Sequence, residues 1–138
     1  MQKLIVDTNI LVSAIIQKSY PYLIVRNLFI GDKIELCVSD ELLKEYYAVL
    51  ARRKFSKYAD FISTANILMT DIESKAISYT PKTKLRILAD PDDDKLLELA
   101  HESKADFLIT GNTNDFKIDH YRKTKIVTPK EYWGLYIS

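Results

Sequence analysis

A chain of 138 residues is long enough to bury a substantial core, and we expect residues 1–138 to form a single domain. Its 47% hydrophobic and 28% charged residues are typical of a soluble globular protein, and no apolar run approaches the ~20 residues of a membrane-spanning helix. The net charge of +1 does not by itself indicate nucleic-acid binding, and three scattered glycines form no phosphate-binding loop. Because Cys37 is the only cysteine and no signal peptide is evident, we expect a cytoplasmic protein without membrane association.

The chain opens with a short apolar run that ends in a carboxylate. Leu4, Ile5 and Val6 predict a strand that is buried on both faces of a parallel sheet. Asp7 would then lie at the carboxyl end of that strand, where the ligand crevice of an open α/β sheet is found. Considered alone, Asp7 is equally well explained as the cap of the next helix. Its role therefore depends on whether other carboxylates reach the same place.

Two helices and a second strand are predicted next. Helical patterns cover residues 10–16 and 22–30, with a break at Tyr20-Pro21 between them. Residues 34–38 form an apolar run that predicts a strand, in which we expect Cys37 to be buried.

A carboxylate on the apolar stripe marks the helix after the second strand. Ser39 is a good N-cap for this helix, which should extend to about Arg53. Helical spacing places Glu45 on or beside the stripe, although glutamate is rarely buried without a partner. The alternative is that its aliphatic part packs while its carboxylate reaches water.

A long amphipathic helix is predicted over residues 58–78, and an extended connection follows it. Basic residues lie on both sides of this helix, at 52–57 before it and at Lys82, Lys84 and Arg86 after it. Four carboxylates, Asp90 and Asp92 to Asp94, then precede a helix over residues 95–103. A cap requires fewer, and their mutual repulsion favours a bound cation or a basic partner beside them. The alternative is a solvated acidic turn.

The last third of the chain contains two predicted strands and a helix. Residues 105–110 form a third buried strand and residues 125–127 a fourth. Thr128 as cap, Pro129 and Glu131 predict a final helix through Tyr136. The order of the elements indicates an α/β fold with a central parallel sheet of four to five strands and helices on both faces.

Carboxylates from separate segments can meet above one edge of this sheet. Asp7 and Asp115 follow strands, Glu45 lies on a helix entered from a strand, and Asp93 or Asp94 begins another helix. Carboxylate oxygens with few His or Cys residues nearby suit a hard cation such as Mg²⁺ or Mn²⁺. Such clusters commonly catalyse phosphodiester hydrolysis.

The arrangement resembles the PIN-domain family, metal-dependent nucleases that include toxins of toxin–antitoxin pairs. The resemblance spans nearly the whole chain and rests on four segments: Val6-Asp7-Thr8-Asn9, residues 39–45 with Glu45, Asp90 to Lys95, and residues 110–116.

The resemblance implies a role for each acidic position. The four family acids fall on Asp7, on Glu45, on Asp93 with Asp94 as its neighbour, and on Asp115. The third acid is ambiguous by one residue, and Asp93 is favoured because it brings a small residue of the helix into the family's pattern. Asp7, Asp93 and Asp115 would be metal ligands. The supporting polar residues would be Thr8, Asn9 and Asn112.

The resemblance also implies an RNA substrate, an antitoxin partner and a homodimer. Cations that would contact RNA are expected near the acids: Arg52, Arg53, Lys54 and Lys117. A residue of this kind is more often a solvated surface charge than an RNA contact. The alternative function is a catalytically inactive PIN-like scaffold or protein-binding module.

Overall fold

Six strands form one sheet in the computed structural model, which describes residues 1–138. The strands are β1 (Lys3–Val6), β2 (Glu35–Val38), β3 (Ile77–Ser78), β4 (Phe107–Ile109), β5 (His120–Tyr121) and β6 (Thr124–Val127). All neighbouring pairs are parallel except β5 with β6. The predicted parallel sheet is confirmed, with six strands where four to five were expected. The additional ones, β3 and β5, have two residues each and are too short to show a periodic pattern.

The helices connect these strands. They are α1 (Thr8–Ile16), α2 (Tyr20–Tyr22), α3 (Asp40–Leu50), α4 (Phe61–Lys75), α5 (Pro91–Ser103), α6 (Thr113–Phe116) and α7 (Pro129–Ile137), with a π-helix at Leu23–Phe29 and a 3₁₀ helix at Arg53–Phe55. None of them is both long enough and apolar enough to cross a bilayer.

Helices cover both faces of the central strands. Leu4, Ile5 and Val6 are successive residues of β1, so their side chains alternate between the faces, yet all three are fully buried. Cys37 in β2 is buried, as predicted. The apolar runs therefore form strands because only a sheet covered on both sides removes every one of their side chains from water.

The order of the strands determines where a crevice can form. The strands are ordered β3-β2-β1-β4-β6-β5 across the sheet. The chain therefore adds β2 and β3 on one side of β1 and then returns to place β4 on the other side. Val6 pairs with Ile109, and the Asp7 amide donates to the Ile109 carbonyl at 2.9 Å. The carboxyl ends of β1 and β4 are therefore adjacent at a topological switch point, where open α/β sheets bind ligands.

The predicted break at Tyr20-Pro21 is wrong. These residues form α2, with Pro21 in the first turn, and the chain leaves the helical conformation earlier, at residues 17–19. Proline is compatible with a first helical turn because its missing N–H has no partner there in any case. The helix predicted over 22–30 is present, with π geometry over Leu23–Phe29.

Other boundaries also differ from the predictions. The helix α4 is shorter than residues 58–78 because Asp60 has a left-handed backbone at its start and Ala76 is extended at its end. The helix α3 ends at Leu50 rather than Arg53, and α5 begins four residues earlier than predicted. The short α6 lies where only a loop was expected. The ends of these helices depend on the local backbone conformation, which the spacing of apolar side chains does not reveal.

Candidate functional site

The Asp7 carboxylate is oriented by donors at two strand ends. One of its oxygens accepts from the Thr8 amide at 2.7 Å, and the other accepts from the Thr110 hydroxyl at 3.0 Å. Burial raises the pKa of Asp7, and these two hydrogen bonds partly offset that rise. Both explanations of Asp7 therefore apply, since it caps α1 and also lies at the switch point between β1 and β4.

Two hydrogen bonds attach α3 to the end of β1. The Thr8 hydroxyl donates to the Glu45 carboxylate, and the buried Tyr46 hydroxyl donates to the Val6 carbonyl at 2.6 Å. Ser39 caps this helix through the Leu42 amide, as predicted. Glu45 is half-buried, and its carboxylate has a hydrogen-bond partner in the protein, the residue that directly follows Asp7. The α3 carboxylate is thus directed toward the site.

Asp93 and Asp94 point to different surroundings. Asp94 is buried and accepts from the amides of Ile87 at 3.1 Å and Leu88 at 2.9 Å. Burial is the largest cause that raises the pKa of Asp93 to about 6, and repulsion from Asp90, Asp7 and Asp115 adds to it. Asp93 therefore lies in the field of the other site carboxylates, whereas Asp94 holds the segment that precedes α5.

The segment after β4 carries the last of the predicted site residues. Asp115 is exposed on α6. The backbone amide of Asn112 donates to the Thr110 hydroxyl at 3.1 Å. Asn9 and Asn112 are also exposed, and the carboxylates take their hydrogen bonds from Thr8 and Thr110 instead. The role of Thr110 was missed by sequence reasoning. Its position directly after a buried strand, like that of Asp7, is the signal that could have revealed it.

No cation of the protein neutralises these carboxylates. The five ion pairs of the structure include none of Asp7, Glu45, Asp93 and Asp115. Lys95 at the start of α5 pairs with Glu41 and Asp92 instead. The donors are hard carboxylate oxygens, which fit Mg²⁺ or Mn²⁺, although no three His, Cys, Asp or Glu side chains already stand in a metal-binding arrangement.

The basic residues expected around the site are distributed unevenly. Arg52, Arg53 and Lys54 lie beyond the C-terminal end of α3, about 10 Å farther along the helix direction than Glu45 and away from the edge that carries Asp7. Lys117 is exposed two residues after Asp115. Of the four, only Lys117 is close in the fold to the acidic set.

Comparison with known proteins identifies the family. The family model of the PIN domain matches residues 3–114. The chain belongs to the PIN-domain family. The prediction made from the four acidic segments is therefore confirmed at the level of the family, and PIN domains are generally metal-dependent nucleases.

Two similar proteins cover nearly the whole of this PIN domain. An uncharacterized protein of Methanocaldococcus jannaschii is 28% identical over 138 aligned positions, which cover 94% of this chain and 88% of that protein. A chain of the VapBC2 crystal structure from Rickettsia felis, bound to a DNA fragment from their promoter, superposes with a TM-score of 0.58 at 17% identity. That match covers 92% of this chain and 98% of the other, and it establishes the common fold.

We expect the metal-free PIN domain to become more stable as the pH is lowered from 7 to 5. The folded state raises the pKa of Asp93 to about 6 from an ordinary value of 3.8, so between these values it binds more protons than the unfolded state. The free energy of unfolding should consequently fall as the pH rises through this window. Asp7 acts in the same direction, whereas Asp106 and Asp119, whose pKa values are lowered, act only at more acidic pH.

Urea unfolding in the presence of a chelator at pH 5, 6 and 7 measures this dependence. Asp93→Asn should flatten it, while Asp60→Asn, which removes an exposed carboxylate at the start of α4, should leave it unchanged. A wild-type protein whose stability increases from pH 5 to 7 would contradict the expectation.

Proposed function

We propose that this PIN domain is a metal-dependent endoribonuclease and the toxin of a toxin–antitoxin pair, with residues 1–138 acting as one nuclease domain. The observation that carries the proposal is a set of links among four carboxylates from separate elements. Thr8 donates to both Asp7 and Glu45, and repulsion from Asp7 and Asp115 adds to the burial that raises the pKa of Asp93. None of these four carboxylates pairs with a cation of the protein. The family supports a nuclease, and the fold shared with a VapBC2 chain is consistent with a toxin.

Asp7, Asp93 and Asp115 would hold Mg²⁺ or Mn²⁺, and Glu45 would complete the site. Burial is the main cause that raises the pKa of Asp93, and repulsion from Asp90, Asp7 and Asp115 adds to it. This repulsion supports the assignment, because a bound cation would replace it by attraction. A divalent cation at such a site makes a water nucleophilic at neutral pH and neutralises the phosphate during phosphodiester hydrolysis. The carboxylates would close around the ion when it binds, since they do not yet form a metal-binding group.

The other site residues orient these carboxylates or face the solvent. Thr110 and the Thr8 amide set the direction of Asp7, and the Thr8 hydroxyl sets that of Glu45. Asp94 acts as a positioning residue for the segment before α5. Asn9 and Asn112 are exposed, so their side-chain amides would be accessible to a substrate.

The proposed partners are an RNA substrate, an antitoxin protein and a second copy of the chain. Large apolar side chains available for protein contacts are exposed on two helices, namely Ile62 and Ile67 on α4 and Leu135 and Ile137 on α7. The VapBC2 structure contains a complex bound to promoter DNA, which supports a protein partner of the same kind here.

Metal-dependent cleavage tests the proposed activity. We expect wild-type protein to cut members of a panel of single-stranded and structured RNAs with Mn²⁺ or Mg²⁺, and to stop when a chelator is added. Single-stranded DNAs of the same sequences serve as the substrate control, and calorimetric titration measures Mn²⁺ binding. Cleavage that persists with chelator would contradict the metal-dependent mechanism, and a folded protein that binds no Mn²⁺ at millimolar concentration would favour the scaffold function instead.

A further inference from the structure

Exposed cations alternate along the segment that enters α5. We call residues 79–88 the basic strap; it contains no helix or strand. Lys82, Lys84 and Arg86 are exposed, whereas Thr83 and Leu85 between them are half-buried, and Leu85 packs against the core. This alternation is that of an extended chain with one face on the protein and the other in water. The three cations therefore lie in a single row on the outer face.

The backbone of the basic strap is held by two buried carboxylates of α5. Glu98 accepts from the Leu85 amide at 2.9 Å, and one turn earlier Asp94 accepts from the amides of Ile87 and Leu88. Buried carboxylates are costly without such charge-assisted bonds, so these contacts define one position for the strap. At its other end, the Tyr79 amide donates to the Val38 carbonyl at 2.8 Å.

The cations of the basic strap have no partner in the protein. Asp94 and Glu98 bind the backbone of the strap and not its side chains, and none of Lys82, Lys84 and Arg86 belongs to an ion pair. The row also adjoins the acidic site. Lys84 lines the same cleft of about 280 Å³ as Glu45, and Asp94 directly follows Asp93. An unpaired cation of the strap thus shares a cleft with one of the proposed site carboxylates, Glu45.

We propose that the basic strap binds the phosphate backbone of single-stranded RNA beside the cleavage site. Alternate residues of an extended chain are about 6.5 Å apart, and one row of cations at that spacing suits the successive phosphates of one strand. The carboxylates alone would repel the same phosphates. The inference rests on the proposed function, since it names the surface that brings that substrate to the site.

Metal-free binding tests the strap separately from cleavage. The affinity of wild type and of Lys82→Gln/Lys84→Gln/Arg86→Gln for a fluorescent single-stranded RNA is measured by anisotropy in a chelator, over a series of salt concentrations. Loss of three phosphate contacts should reduce the salt slope by about 2 and weaken binding ten- to a hundredfold at ~0.1 M salt.

The matched control is Lys18→Gln/Lys33→Gln/Lys104→Gln. It removes the same charge from exposed lysines at the end of α1, before β2 and after α5, which lie toward the opposite edge of the sheet. This control should change the salt slope by less than 1.

The assignment of the strap would be overturned if the strap variant had the same salt slope of RNA binding as the control variant, or if the wild type bound no RNA. It would also be overturned if the strap variant lost affinity only for an acidic peptide, which would indicate a protein partner. A wild type that binds RNA through the strap but never cleaves it would refute the proposed nuclease and support the strap.

Discussion

Asp7→Asn is expected to reduce metal-dependent RNA cleavage at least about a hundredfold while the protein remains folded. Loss of a residue that merely supports a metal ligand already costs 10–100-fold, so loss of a proposed ligand should cost at least the upper part of that range. The amide preserves the size of the side chain and retains an acceptor for the Thr8 amide, and the Thr110 hydroxyl can reorient to accept from it. The cap of α1 should therefore survive the substitution.

The stability of this variant distinguishes loss of chemistry from loss of fold. Burial raises the pKa of Asp7, which means that the charged carboxylate is disfavoured in the metal-free folded protein. Asp7→Asn should consequently have an unchanged or higher Tm in chelator, and it should lose the increase in Tm that Mn²⁺ gives to the wild type.

Asp40→Asn is the control for this experiment. Asp40 is exposed in the first turn of α3 and lines the same cleft as Glu45, so the control removes one nearby charge outside the proposed ligand set. It should retain most of the activity. Undiminished cleavage by a folded Asp7→Asn protein would refute the assignment of Asp7.

Replacement of the neighbouring residues Asp93 and Asp94 should have opposite consequences. Asp94→Ala is expected to destabilise the protein by about 2–4 kcal/mol, because the amides of Ile87 and Leu88 lose a buried, charged acceptor. Asp93→Ala should leave the stability unchanged or raised, since it removes a carboxylate that burial and Asp90, Asp7 and Asp115 disfavour. Its cleavage activity should nevertheless fall at least about a hundredfold.

Urea unfolding and cleavage assays on the two alanine variants measure this contrast. Asp94→Asn retains an acceptor for one or both amides and should recover part of the lost stability, which separates the hydrogen bonds from the charge. The reverse result, a stable but inactive Asp94→Ala protein together with an active Asp93→Ala protein, would identify Asp94 as the third acidic ligand.

Features that depend on near neighbours could be read from the sequence. The run Leu4-Ile5-Val6 predicts a buried strand because burial on both faces requires consecutive apolar residues, and that strand is present. Thr128 and Glu131 predict a capping box, which forms with hydrogen bonds of 3.1 Å and 2.8 Å at the start of α7. Four acidic segments in order were sufficient to identify the family.

Features that depend on distant contacts were decided only by the tertiary structure. One residue along a helix rotates a side chain by about 100°, so the sequence left Asp93 and Asp94 undistinguished until packing directed Asp94 to the basic strap. Thr110 supports Asp7 only because β4 lies beside β1, a pairing that joins residues about a hundred positions apart. Side-chain chemistry is local and is visible in the sequence, whereas the direction in which a carboxylate points is set by the chain that packs against it.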